Sequence, residues 1–184
     1  SAAVAAWLCA WAIRSADDRV LEPSCGDGTF LAATASVFSG LGLPGPAVAD
    51  RLIGIEILAS EADCARNRLR PQLGLRTQDA VRTSDFFDWW QTTPQPAFDV
   101  VVGNPPFIRY QTFPEPHRGR AMAIMESVGL KPNRLTNIWV PFVVAAALSL
   151  RPGGRMALVL PAELLQVTYA AQLRSFLTDR FSRI

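Results

Sequence analysis

Residues 98–107 read FDVVVGNPPF. Phe98 to Gly103 is apolar apart from Asp99, the pattern of a strand covered on both faces, as in a parallel sheet. The run stops on two adjacent prolines. A proline has no backbone N–H and holds its own φ near −65°, and the residue before a proline is pushed out of the helical region. Asn104 and Pro105 are therefore both held extended, and neither Pro105 nor Pro106 can donate to a sheet. Such a segment points backbone carbonyls and one amide side chain at whatever lies beyond the end of the strand.

Working outward, strands alternate with helices. Apolar positions at helical spacing cover 4–14. Arg19-Val20-Leu21 is a short strand ending on Glu22-Pro23, followed by a glycine-containing loop from Ser24 to Gly28 and a helix over 29–38. The stretch Gly40 to Pro46 breaks that helix. Residues 52–57 (LIGIEI) form a second strand and 59–70 a polar-faced helix stopped by Pro71. A weak third strand is expected near 75–81, and Phe98 to Gly103 is the fourth. Residues 108–134 read as a long connection, 136–150 as an apolar helix, Arg155 to Leu160 as a fifth strand, and about 162–179 as a last helix. This order implies a doubly wound, mostly parallel α/β sheet flanked by helices. Ligands bind such sheets beyond the carboxyl ends of the strands. The unusual clusters, Glu22 to Gly28, Glu56, and Asn104 to Phe107, all lie at such ends.

Bulk properties narrow the function classes. A chain of 184 residues, 49% apolar, forms one domain with a sizeable core. Eighteen basic against sixteen acidic residues give a net charge of +2, too balanced to announce a nucleic-acid binder by charge alone. Cys9, Cys25 and Cys64 form no CxxC pair, so neither a zinc site nor a disulfide framework is signalled. A reducing, cytoplasmic compartment is expected. No apolar stretch reaches the roughly 18 residues of a membrane span, and the start has no basic signal-peptide region. The abrupt ends are read as those of a piece of a longer protein. His117, the sole histidine, lies in the Pro-rich FPEPHRGR and is expected in solvent.

In LEPSCGDGTF (21–30) the glycines allow a close backbone approach and positive φ. No Gly-Lys-Ser/Thr follows, and GxGxxG is incomplete, so neither phosphate-binding fingerprint is present. Glu22 at the loop mouth disfavours a pyrophosphate and favours a ligand with a cationic part. A carboxylate at the end of the second strand, Glu56, can accept from both hydroxyls of a ribose. The plain alternatives are a tight strand-to-helix turn and a solvated strand-end charge.

With these motifs together, the chain resembles the S-adenosylmethionine-dependent amino-methyltransferases of the N6-adenine DNA type. The nearest branch places the cofactor motif ahead of the catalytic one, as in restriction–modification systems. LEPSCGDGTF resembles the cofactor loop, GIEI (54–57) the ribose-binding strand end, and SDFF (84–87) the adenine-binding stretch. NPPFIRYQ (104–111) resembles the catalytic motif, and GGRMALVLP (153–161) a late strand. The resemblance covers nearly the whole chain and implies a Rossmann-like methyltransferase sheet. It implies that Glu22, Pro23, Ser24, Gly26 and Gly28 border the methionine part of the cofactor. Glu56 would hold the ribose, Ile57 the adenine ring and Asp85 the adenine amino group, with Phe86 packing nearby. Phe87, Trp89 and Trp90 are read as packing residues.

The exocyclic amine of adenine is a poor nucleophile because its lone pair is delocalised. Acceptors on both N–H groups, the Asn104 side-chain oxygen and the Pro105 carbonyl, would localise that pair and stabilise the charge growing on nitrogen. Pro106 completes the catalytic motif, and Phe107 would stack on a base rotated out of double-stranded DNA. No metal is needed, and Cys25, in the cofactor loop, is not a plausible nucleophile. Arg109, Arg118, Arg120, Lys131 and Arg134 in the long connection would suit phosphate contacts. The resemblance implies that residues 1–184 are a methyltransferase catalytic domain. The target-recognition domain, and any endonuclease module, would lie elsewhere in the parent protein. Methylation of a protein glutamine amide or a ribosomal RNA adenine, and a non-catalytic DNA-binding or scaffold subunit, stand as alternatives on the same fold.

Overall fold

The computed structural model describes every residue except Pro96, Arg134, Leu135 and 167–169. Five strands, β1 (Val20–Glu22), β2 (Leu52–Glu56), β3 (Val81–Thr83), β4 (Phe98–Gly103) and β5 (Leu150–Leu158), form one sheet in the order β3-β2-β1-β4-β5. Every pairing is parallel. The expectation of a doubly wound parallel sheet is met.

Alternation along the strands sorts the core into two layers. Leu21, Ile55 and Val101 face one cluster, and Val20, Leu52, Val100 and Val102 face the other. The second layer is covered by α1 (Ala2–Ala12), α2 (Thr29–Gly40) and α4 (Ala59–Leu73), with the single turn α3 (Gly45–Val48) beside them. The first is covered by α6 (Phe86–Thr92), α7 (His117–Ser127), α8 (Trp139–Ser149) and α10 (Ala171–Arg180). The short turns α5 (Thr77–Ala80) and α9 (Glu163–Gln166) complete the described α-helices. Helix α8 is apolar all round because both its sides are enclosed: Trp139, Val143 and Val144 are each at most 1% exposed. Among the described residues no helix is long and apolar enough to cross a membrane.

Four expectations change. The third strand is not at 75–81. Gly74–Arg76 is a 3₁₀ turn, α5 follows, and β3 starts only at Val81. Leu75 is exposed and of β3 only Val81 is buried, so this edge strand lacks the apolar run that would mark it. Pro71 does not end α4. It forfeits one hydrogen bond, and the helix continues because Leu69 and Leu73, four apart on one face, are both buried. Strand β5 begins at Leu150, ahead of the Gly153-Gly154 turn expected to precede it. The connection 108–134 contains a helix. Ala121, Met122, Ile124 and Met125 of α7 insert into the α8 layer, while Pro114, Pro116 and Gly119 mask its start in the sequence. Of the expected last helix, α9 and α10 are described and 167–169 lie outside the described residues, as does Arg134 of the basic set.

Candidate active site

The strand order reverses between β1 and β4, so their carboxyl ends open a crevice. A cleft of about 420 Å³ lies there, lined by Glu22 and the Ser24–Asp27 loop on one wall and Asn104–Phe107 on the other. A larger cavity of about 800 Å³ lies between the start of β5 and α10, where Arg151, Gln172 and Phe181 line it. It is at the opposite end of the sheet and meets none of the strand-end motifs.

The glycine loop is held from below. Cys25 N–H donates to the Ile55 carbonyl at 2.9 Å, and Gly28 N–H to the Cys25 carbonyl at 2.8 Å. Gly26 and Gly28 have φ of +49° and +82°, in the left-handed region that disfavours side chains. A Cβ on Gly28 would also lie 2.8 Å from the Ala65 Cα of α4, so glycine lets the loop and α4 close together. Glu56 clamps this loop. Its Oε2 accepts from Gly26 N–H and its Oε1 from Leu58 N–H, both at 2.9 Å. Each oxygen keeps a lone pair for a further donor. Ile57, half exposed, presents an apolar face next to it.

Glu22 joins the two walls. Its side chain is buried beneath the loop, and the Cβ that a larger residue would place at position 103 falls 3.2 Å from the Glu22 Cγ. Gly103 thus leaves room for this carboxylate under the start of Asn104-Pro105. Among the described residues the Glu22 Oε2 atom has no hydrogen-bond partner. Burial pushes its carboxyl well above the ordinary 4.5, the charges of Asp27 and Glu56 add to that, and the Leu31 amide opposes it. A buried acceptor without a donor costs about 1–3 kcal/mol. A donor placed against this oxygen, above all a cationic one, would relieve that cost. An acid whose folded pKa is raised binds more protons in the native state, so the free protein loses stability as pH rises from about 4.5 through that raised value. We expect Glu22→Gln to stabilise the free protein at neutral pH by about 1–3 kcal/mol and to flatten this fall. Thermal melts at a series of pH values measure both effects.

On the other wall, Asn104 is exposed, Pro105 buried and Pro106 half-buried. Among the described residues no donor reaches the Pro105 carbonyl and nothing engages the Asn104 amide. The segment is pinned behind them, since Ile138 N–H donates to the Ile108 carbonyl at 2.9 Å and Val159 N–H to the Gly103 carbonyl at 2.9 Å. Phe107 is 51% exposed at the cleft mouth. Cys25 is buried, and burial drives its thiol far above the ordinary range, which keeps it from acting as a nucleophile.

At the next strand end along, Ser84 N–H donates to the Glu56 carbonyl, which sets Asp85 beside the end of β2. Asp85 caps α6: its Oδ1 accepts from Asp88 N–H at 2.9 Å. Phe86 is buried with its ring 5.1 Å from that of Phe142, so its side chain belongs to the core behind Asp85. Phe87 and Trp89 pack in the same layer, and Trp90 Nε1–H donates to the Ser149 Oγ at 2.9 Å. His117 is not out in solvent as expected. Helix α7 docks its first turn on α6, which brings the ring 3.2 Å from Asp85. The basic set is also more engaged than expected: Arg118 pairs with Glu115 and Arg120 with Asp88, while Arg109 and Lys131 are exposed. No local pattern links His117 to Asp85, or Arg120 to Asp88. Only the docking of α7 makes these pairs.

A model of the Eco57I restriction-modification methylase family matches residues 48–183. The chain is 32% identical to the type II methyltransferase M.TthHB8I of Thermus thermophilus over 86% of this chain and 33% of that protein. It is 27% identical to M.BstVI of Geobacillus stearothermophilus over 89% of this chain and 32% of that protein. It spans about a third of the length of these relatives. The structure of a DrdV–DNA complex has the same fold, with a TM-score of 0.71 at 15% identity, covering 97% of this chain and 22% of that one.

Proposed function

The chain belongs to the Eco57I restriction-modification methylase family, and from that premise we propose that residues 1–184 are the catalytic domain of a site-specific DNA methyltransferase. The proposed reaction moves a methyl group from S-adenosylmethionine to N6 of an adenine rotated out of the duplex. Target recognition would fall to another part of the parent protein. The observation that carries this reading is the pair of uncommitted acceptors, the Asn104 side chain and the Pro105 carbonyl, across one cleft from buried Glu22, whose Oε2 has no partner among the described residues.

The residues present fit the cofactor. Glu22 would face its cationic methionine end, the open backbone of Gly26 and Gly28 would admit it closely, and Pro23 and Ser24 would border it. Glu56 would accept from the ribose, Ile57 would lie on the adenine, and Asp85, backed by Phe86, would accept from the adenine amino group. S-adenosylmethionine supplies an electrophilic methyl on a sulfonium.

This chain's residues would do the rest. The Asn104 oxygen and the Pro105 carbonyl accept the two N–H bonds of the target amine and draw its nitrogen toward tetrahedral geometry. Both dipoles then stabilise the positive charge that grows as the N–C bond forms. The proton shed afterwards has a path to water, because Asn104 is exposed. The pinned segment holds the acceptors in place before the base arrives, and that preorganisation lowers the entropic cost of alignment. Exposed Phe107 would stack on the rotated base. Base–aromatic stacking contributes about 1–3 kcal/mol, so we expect Phe107→Ala to slow transfer roughly 10–100-fold with the melting temperature unchanged. A rate close to wild type in single-turnover assays would remove Phe107 from the base pocket.

Nucleoside mass spectrometry tests the substrate. DNA from cells without adenine methylation, expressing the full parent protein, is expected to gain N6-methyladenine. Its absence, with cofactor binding intact, would move the assignment to a protein amide or an RNA adenine. Absence of cofactor binding would favour a scaffold subunit.

A further inference from the structure

Asp85 is held from two sides, by its own helix and by the next. Its Oδ1 takes the Asp88 amide at the start of α6. Its Oδ2 lies 3.2 Å from Nδ1 of His117, the first residue of α7. The carboxylate is only 6% exposed and the imidazole 27%. The His117 Nδ1 atom lies off the line that a hydrogen bond to this oxygen needs, so the contact is one of proximity. Phe113 stands on the other side of the ring, 6.3 Å between centroids.

Asp85, Asp88 and His117 offer ligand atoms within 4.8 Å of one another. That cluster does not call for a metal ion, because Arg120 already pairs with Asp88 and the α6 amide with Asp85.

From this juxtaposition we infer that His117 is a positioning residue for Asp85. By fixing Oδ2 it makes recognition of the cofactor's adenine amino group depend on the docking of α7. The inference rests on the reading of Asp85 as the acceptor for that amino group. With the Asp88 amide alone, the carboxylate can swing about its Oδ1 anchor. A second contact at Oδ2 removes that freedom, and a fixed acceptor loses less entropy on binding a donor. Nδ1 must carry a proton for the contact to be attractive. Helix α7 follows the catalytic motif in the chain, and its residues Met122 and Met125 pack in the α8 layer whose start pins Ile108. His117 therefore ties the adenine end of the cofactor site to the same helical layer that supports Asn104–Phe107.

The test compares binding of S-adenosylmethionine with that of its purine analogue lacking the 6-amino group. Wild type, His117→Ala and His117→Asn are measured by calorimetry, with melting curves for each. The asparagine amide nitrogen overlays the Nδ1 position and so restores a donor. We expect His117→Ala to weaken S-adenosylmethionine about 3–10-fold, the scale of ordering one side chain on binding. It should leave the analogue unchanged, and His117→Asn should recover most of the loss. Equal weakening of both ligands would mean a scaffold role only and overturn the inference, as would no weakening of either. Wild type binding both ligands alike would instead refute the reading of Asp85 itself. Wild type that discriminates, beside a His117→Ala protein that discriminates equally, would refute the His117 inference alone.

Discussion

Asn104→Ala is expected to slow methyl transfer by about 10³-fold while leaving cofactor affinity within about twofold. Removing one preorganised polar group aimed at developing charge costs 10²–10³ in rate. Here the loss should sit at the upper end, since the amide is one of the two acceptors proposed for the target amine. The side chain is exposed and engages no described residue, so its removal leaves the fold unstrained. Glu22, Gly26 and Glu56, on the opposite wall and beneath it, are untouched. Single-turnover transfer of a labelled methyl to unmethylated genomic DNA, beside calorimetric titration of the cofactor, separates the two quantities. Transfer near the wild-type rate would sink the assigned role of Asn104-Pro105-Pro106-Phe107. A parallel loss of cofactor affinity would show that the asparagine serves the other half of the site.

Glu56→Ala should do the reverse and weaken cofactor binding at least about 100-fold. Its two oxygens hold the amides of Gly26 and Leu58, and hydrogen bonds to charged groups are each worth about 1.5–3 kcal/mol. Removing both frees the loop at the positive-φ Gly26 and deletes the proposed acceptor for the ribose. Glu56→Gln retains one acceptor but turns an N–H₂ toward one of the two amides, so it should fall between wild type and alanine. Calorimetric titration measures the affinities, and thermal melts report the loosened loop as a lower melting temperature. Wild-type affinity in Glu56→Ala would mean that the clamp is structural and that the cofactor lies elsewhere.

These two residues behave differently because of where their constraints come from. Asn104 is extended because Pro105 follows it, and Pro105 because Pro106 follows. That rule is local and is visible in the sequence. The role of Glu56 as a clamp is not local. Gly26 is far from it along the chain, and only the parallel pairing of β1 with β2, Glu22 opposite Gly54, brings the loop over the carboxylate. The same division explains the elements misjudged. Pro71 looks like a helix stop because proline forfeits a hydrogen bond, yet burial of Leu73 outweighs that loss. Helix α7 looks like a loop because prolines flank its start, and its apolar positions gain their meaning only against α8.

The sequence by itself determined the alternation of strands and helices, the extended Asn-Pro-Pro end of β4, the glycines of the loop after β1, and the acidic residues at two strand ends. All of these follow from backbone sterics, periodicity and residue chemistry, which act over a few neighbours. Tertiary structure alone decided that Glu22 would be buried with its Oε2 unpartnered among the described residues, that Glu56 would clamp Gly26, and that His117 would leave solvent for Asp85. Each is a contact between elements distant in the chain, and its energy comes from burial and electrostatics that exist only once the sheet has paired and the helices have closed over it.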